Sequence, residues 1–440
     1  MTFPLGIYSV GGFFIMPVLY PPVLFLGNRM HKILLLIVIT LLSGCTAYQR
    51  DSNRLATALN TQSPEIVLAQ LQDSKPQARD NAQFHLNRGF LEFLSGDFDS
   101  AIATLFLAKK EMSVLEAISI SENVGAGTLS ETLRSYSGYP TDRVMVHNIL
   151  ALSYLFNNNI EGARVEILQA DLAMKKLAEK NALNGQLASA HLIAGIVYEL
   201  LNEQSNALIS YRFAQDIITQ RDLPLPLGLK QALLRMSFKL GAEQQFVDYQ
   251  RRFPDLPKPS QKTENQVFVL YFDAVVSHKV EKTVVLPSRN FAQLIRISMP
   301  SYPLEQQHVR PLSEQQVSTE MVENIEVLVR EDLALEYPSI LLLTTTRALA
   351  KYELLRRVNE KDNLAGLLLN LVTVATERAD LRSWNMLPSN IQFGYLETTE
   401  NEIQIDELND RPQKIDILNG SQNMLLINNL SDHIFHYQQL

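Results

Sequence analysis

Cys45 is the only cysteine in 440 residues. It follows Ser43-Gly44 and a run of apolar side chains, 33–42, broken only by Thr40. A lone thiol excludes an internal disulfide framework, a multi-cysteine zinc site and a cysteine-ligated iron–sulfur cluster. Zinc-dependent hydrolysis asks for two histidines one helical turn apart beside a carboxylate. His85, His147, His191, His278 and His308 are scattered instead, and His433 and His436 sit in a segment that reads as a terminal strand. No Gly-x-Ser-x-Gly elbow occurs. The acidic stretch with Glu400, Glu402, Asp406 and Glu407 lacks the spacing of a calcium loop and reads as a solvated strand edge. The glycine-bearing segment 123–128 is not followed by Gly-Lys-Ser/Thr, so it reads as a bend and not as a phosphate cradle. The nearest thing to a constellation is Asp380, Arg382 and Trp384 ahead of Leu387-Pro388. There an ion pair or turn cap stands beside the only tryptophan. It reads as a structural knot where helix meets strand, with partner or glycan contact as the alternative. No catalytic residue, metal site or cofactor is expected.

The thiol's position carries its meaning. Met30-His31-Lys32, the ten-residue apolar run and Leu42-Ser43-Gly44-Cys45 form a charged start, a short greasy core and a small-residue cleavage site. A membrane span needs roughly twenty residues, so this is the length of a signal core. Leu42-Ser43-Gly44-Cys45 resembles the lipobox of bacterial lipoproteins. That resemblance implies cleavage between Gly44 and Cys45 and lipidation of Cys45, with enough acyl chains for stable attachment. Thr46 follows where Asp would signal retention, so by the same resemblance the expected location is the outer membrane, facing the periplasm. Residues 1–29 are apolar without a basic flank and read as an upstream extension, with translation starting at Met30.

The remaining charge points away from nucleic acid. The chain carries −8 overall, and residues 1–45 hold only Arg29 and Lys32, leaving 37 basic and 47 acidic side chains in the body. Such a surface repels phosphate backbones. The 46% hydrophobic content is enough for a core.

Three segments share one spacing. Gly89, Gly96, Ala101, Leu105 and Ala108 stand at offsets 0, +7, +12, +16 and +19. Ala151, Tyr154, Asn158, Ala163, Ile167 and Ala170 repeat these with an aromatic at +3, as do Gly195, Tyr198, Asn202, Ala207, Tyr211 and Ala214. The pattern resembles the tetratricopeptide repeat, in which small residues let antiparallel helices approach and an aromatic fills the space between them. The first copy has Glu92 at the aromatic position, and the copies begin 62 and 44 residues apart instead of about 34, so the array is irregular. A fourth, degenerate pair is expected over 227–253.

The Pro-rich segment 254–262 reads as a linker. Strand-like runs follow at 266–274, 281–286 and 294–299, then helical patterns at 317–337, ended or kinked by Pro338, and at 341–379. Strands return at 402–405, 414–418, 424–427 and 434–437, with a turn at Asn419-Gly420. The expected organisation is an upstream extension 1–29, signal peptide 30–44, anchor and tether 45–77, helical repeats 78–253, linker 254–262 and C-terminal module 263–440. The expected fold class is mainly α, with irregular tetratricopeptide-like helical hairpins followed by a smaller α+β C-terminal module.

Two segments, 136–147 (YSGYPTDRVMVH) and 379–388 (ADLRSWNMLP), resemble a group of proteobacterial lipoproteins with the same order of lipobox, repeats and tail. The group commonly carries Glu where this chain has Asp142. The resemblance implies localisation and architecture and no established reaction. Tyr136 and Tyr139 are expected on a mobile loop, where with Asp142, Arg143, Asp380, Arg382 and Trp384 they would meet a protein partner. The expected function is a lipid-anchored, non-catalytic scaffold of the cell envelope. It would touch the membrane through Cys45 and hold an envelope protein on the concave side of its helices. Regulation of peptidoglycan-synthesising enzymes and glycan processing are the alternatives.

Overall fold

A computed structural model describes residues 48–122, 135–179, 183–259, 265–287, 293–304, 309–314, 316–405 and 412–439, all within one compact unit, Thr46–Leu440. Gly44 and Cys45, the glycine segment 123–128, His308, and Asp406 and Glu407 lie outside the described residues. The fold is mainly α. After helical segments α1 (48–58) and α2 (Pro64–Gln72) come α3 (Asn81–Leu94), α4 (Phe98–Glu122), α5 (Pro140–Phe156), α6 (Ile160–Ala178), α7 (Ala188–Leu200), α8 (Gln204–Gln220), α9 (Leu227–Lys239) and α10 (Glu243–Arg252). The last eight pair in sequence as four tetratricopeptide-like hairpins.

The repeat spacing explains each hairpin. At offset +7, Gly96, Asn158 and Asn202 have φ of 78°, 55° and 60°, and Gly241 repeats the conformation at 65° between α9 and α10. This left-handed backbone, open to Gly and Asn, ends one helix and aims the chain into the next. At offsets 0 and +16 the helices touch. A methyl group on Gly89 would stand 2.6 Å from Leu105 Cγ, and one on Gly195 would strike the Tyr211 ring. Ala101, Ala108, Ala151, Ala163, Ala170, Ala207 and Ala214 are buried with them, as is Tyr198. Tyr154 lies against Gly162, where a methyl would stand 2.6 Å from its ring. In the first copy Glu92 is buried where the others carry an aromatic, and Arg88 Nε donates to it at 2.7 Å.

The C-terminal half is built on a five-stranded sheet. Its strands β1 (Asn265–Val275), β4 (Glu320–Asn324), β5 (Pro388–Thr398), β8 (Gln422–Asn428) and β9 (Phe435–Gln439) lie in the order β4-β5-β1-β8-β9. Central β1 is antiparallel to β5 and parallel to β8. Phe268, Leu270 and Phe272 face the helices, while Val267, Val269 and Tyr271 join Leu425, Ile427, Ile403 and Ile405 in a second core. Burial on both faces is why this strand reads as an unbroken apolar run. Two ribbons stand apart from this sheet, β2 (Val280–Pro287) with β3 (Leu294–Ser301) and β6 (Glu402–Ile405) with β7 (Gln413–Asp416). Helices α11 (Ile325–Asn359) and α12 (Asn363–Thr376) connect β4 to β5.

Two expectations change here. The stretch expected to be helical over 317–337 begins with β4, which carries a bulge between Met321 and Glu323, and Pro338 lies within α11 instead of ending it. The concave face of the array is not open. Inner helices α3, α5, α7 and α9 pack on the C-terminal module: Phe93 and Phe435 rings are 5.5 Å apart, and the Arg235 guanidinium is 3.8 Å from the Tyr395 ring centre. A methyl on Gly228 would stand 2.7 Å from Phe393. Segment 254–262 separates helix from strand along the chain, yet one hydrophobic core runs through both.

Candidate functional site

The segments 136–147 and 379–388, more than two hundred residues apart in sequence, converge where the helical array meets the C-terminal module. Asp142 occupies the third position of α5 and accepts the Tyr139 backbone N–H at 2.9 Å, closing a capping box with Pro140 at the helix start. The same carboxylate takes the Tyr136 hydroxyl proton donor in a short contact. Arg382, almost wholly buried, donates to both oxygens of Asp380, to Asp80 at 3.3 Å and to the Arg79 carbonyl at 3.0 Å. Its ring neighbour is Tyr136, with a 5.9 Å separation. Trp384 is buried edge-on to Phe90 at 6.3 Å. Arg143 Nε donates to the Ser137 carbonyl at 3.2 Å.

This corrects the picture of rings presented on a mobile loop. Tyr136 is buried, and the Tyr139 ring is covered by Lys279, whose Nζ sits 3.7 Å from its centre. The reason is electrostatic. Asp142 and Arg382 are buried charged groups that need partners: Asp142 accepts from the Tyr136 hydroxyl and the Tyr139 N–H, and Arg382 finds its acceptors in Asp380, Asp80 and the Arg79 carbonyl. The Arg382 ion pair with Asp80 and the Trp384 ring against Phe90 tie the end of the α12 connection to the start and body of α3.

A cleft of about 330 Å³ opens at this seam, lined by Ser135, Tyr136, Tyr139, Glu336, Asp380 and Arg382 among others. Burial raises Glu336 above the ordinary carboxylate range, with Asp380 and Asp142 adding to it. Asp380 is pushed up by burial but pulled lower overall by Arg382. Two acids driven apart across one cleft are what glycoside hydrolysis uses. Asp380, however, is engaged through both oxygens by Arg382. Burial lowers Lys279 to about 8, a value suited to nucleophilic chemistry. Its Nζ instead donates to the Arg382 carbonyl at 3.0 Å, and it is not part of the cleft wall.

Sequence reasoning missed a second set of residues at the same seam. Asp332 of α11 accepts the Thr141 N–H at the start of α5 at 3.0 Å, and Glu323 of β4 accepts the Ser189 N–H at the start of α7 at 3.1 Å. Glu320 takes the Leu227 N–H at the start of α9. Each carboxylate satisfies an orphan donor and the positive end of a helix supplied by distant sequence. Burial raises both Glu323 and Asp332 to about 7. Nothing local signals this, because the acids lie 93 to 191 residues from their helices.

The outer helices differ. Between α4 and α6 lies a groove of about 250 Å³ whose walls include Lys109, Met112, Arg143, Leu172, Lys176 and Leu177. His147 and Lys109, both of its lining, reach the buried Glu166 at 2.7 Å and 2.6 Å. Phe106, Leu107, Val165, Leu168, Ile209 and Phe213 are exposed on α4, α6 and α8. No cluster of three or more metal-ligating side chains is found among the described residues. His433 and His436 face Glu65 and Asn423 respectively.

No family model matches this chain, and no curated protein matches it. Solved structures with some likeness include MamA AMB-1, at 12% identity and TM-score 0.30 over 48% of this chain and 91% of that one. The apo form of RapI is 15% identical at TM-score 0.31, covering 45% of this chain and 48% of that one. BtubC from P. vanneervenii is 17% identical at TM-score 0.28, covering 45% and 75%.

Proposed function

We propose that this protein is a lipid-anchored, periplasm-facing scaffold of the bacterial cell envelope that holds a protein partner and makes or breaks no bond. Cys45 and its lipobox-like approach support the anchor and an outer-membrane location. The resemblance of segments 136–147 and 379–388 to lipoproteins of similar architecture supports the same setting. The observation that carries the binding reading is the groove between α4 and α6. The inner face of the array is filled by the chain's own sheet, which leaves the outer face as the part of the array offered to a partner. The groove's lining combines apolar Met112, Leu172 and Leu177 with basic Lys109, Arg143 and Lys176. That combination fits an amphipathic helix whose apolar stripe is flanked by acidic residues.

The test compares cross-linked capture by the native protein, by Cys45→Ala and by Leu172→Glu combined with Lys176→Glu, with thermal unfolding of each variant as the control. A partner lost with the groove variant at unchanged thermal stability supports the reading. Equal recovery with that variant overturns the groove, and equal recovery with Cys45→Ala overturns the need for the anchor.

Glycan processing is the second reading, because Glu336 and Asp380 line one cleft. It requires Glu336→Gln to abolish release of sugar from peptidoglycan by the purified protein. The engagement of Asp380 by Arg382 argues against that outcome.

A further inference from the structure

The C-terminal half of α11, α12 and the β2–β3 ribbon form an arm with unusual surface chemistry. α12, sequence NLAGLLLNLVTVAT, has no charged residue in 14, and its Leu367, Leu368 and Leu371 are 54%, 53% and 57% exposed. Beside it on α11, Leu342 and Leu349 are 68% and 61% exposed. Asn370 joins α12 to the ribbon by donating to the Leu294 carbonyl at 2.8 Å and accepting its N–H at 3.1 Å. The apolar surface therefore continues onto β3, where Leu294 is itself exposed.

The ribbon shows what kind of medium this surface fits. Neighbouring residues on a strand point to opposite faces, yet Val284, Val285 and Leu286 are all about half exposed. With apolar side chains exposed on both faces, the ribbon can lay either one on a bilayer surface while its backbone edges stay among the hydrated headgroups. Charge agrees. Residues 280–287, 294–301 and 341–378 hold eight basic and five acidic side chains, a net +3 in a chain of −8. Internal pairs such as Arg296 with Glu281 and Arg347 with Glu377 leave that excess unchanged. Among the described residues no helix is long and apolar enough to cross a membrane, which leaves lying in the interface as the mode of contact.

We propose that this arm inserts its leucines and valines into the headgroup boundary of an anionic phospholipid bilayer. The contact is separate from the proposed lipid on Cys45 and from the groove between α4 and α6. Apolar burial supplies the affinity, and the local positive charge selects a negatively charged leaflet.

The single cysteine makes the test clean. The full-length Cys45→Ala chain is cysteine-free, so Leu368→Cys, or Gln244→Cys on α10 as control, can each carry one polarity-sensitive fluorophore. With vesicles of phosphatidylcholine containing phosphatidylglycerol, the probe at 368 is expected to shift to the blue and the probe at 244 is not. In a sedimentation assay, adding Leu367→Glu and Leu371→Glu to the Cys45→Ala chain is expected to weaken binding about tenfold or more. Residues before the arm are common to both chains, so the difference belongs to the arm. The proposal is overturned by an absent shift at 368, by equal shifts at both positions, by unchanged sedimentation of the double variant, or by a shift at 368 that follows protein concentration without vesicles. The last outcome would mark the arm as a self-association surface.

Discussion

The seam and the arm are built from the same α11, yet they invert the usual division of side chains. At the seam, Arg382, Lys279, Asp142, Asp332 and Glu323 are charged groups placed inside. On the arm, Leu342, Leu349, Leu367, Leu368 and Leu371 are apolar groups placed outside. Both arrangements oppose simple burial energetics, but they are compensated differently. The seam satisfies each buried charge within the molecule. The arm leaves its apolar surface uncovered by any described residue. The first makes a joint between two layers, and the second makes a surface that needs something else.

The largest expected effect comes from emptying the seam. Arg382→Ala leaves Asp80 and Asp380 without their shared cation and is expected to cost about 3–5 kcal/mol in denaturant unfolding. Trp384→Ala, which opens a cavity beside Phe90, falls in a similar range of about 3–5 kcal/mol. A loss below about 1 kcal/mol for both would mean that the seam is not the joint described here. Tyr136→Ala is likewise expected to destabilise, because the ring and its bond to Asp142 are buried. It is therefore unsuited to probing partner contact.

The helix-capping acids give a smaller effect with a definite sign. Glu323 and Asp332 stand at about 7 in the folded protein, above the ordinary carboxylate range of an unfolded chain. The folded state thus holds their protons more tightly. Stability from these groups is full below the unfolded pKa and is lost as pH rises from about 4 through 7. Glu323→Gln and Asp332→Asn, neutral at every pH, are expected to flatten the fall of melting temperature between pH 5 and 8. An unchanged slope would show that neither group titrates there. Least affected is the arm. Leu342→Gln and Leu349→Gln are expected to change stability by no more than about 0.5 kcal/mol, since neither side chain is buried. A large loss would mean that the arm packs against part of this chain.

Legibility followed sequence separation. Every hairpin of the array could be read, because Gly96, Asn158 and Asn202 mark the turns and Gly89 and Gly195 mark the crossings within about twenty residues of their partners. Strand β1 was legible from its unbroken apolar run, and β6 from its alternation. Strand β5 was missed although Ile391, Phe393 and Tyr395 alternate, because Pro388 and Gly394 disguise a strand whose neighbours supply the pairing. The start of β4 was read as helix, since 317–337 has helix-forming residues and only tertiary pairing with β5 overrides them. At the seam, sequence singled out Tyr136, Asp142, Asp380 and Arg382 but not their burial. It gave no hint of Lys279, Glu323 or Asp332, whose partners lie a hundred or more residues away.

The acids that close the starts of α5, α7 and α9 also set an order in time. During synthesis the array emerges first, and the carboxylates that complete three of its inner helices arrive only with 320–332. Contacts of such high separation form slowly, after the cost of closing long loops has been met. The starts of α5, α7 and α9 therefore lack these acceptors until 320–332 has been made, and a chain cut short before that point is expected to expose the apolar inner face that the sheet otherwise covers and to aggregate more readily.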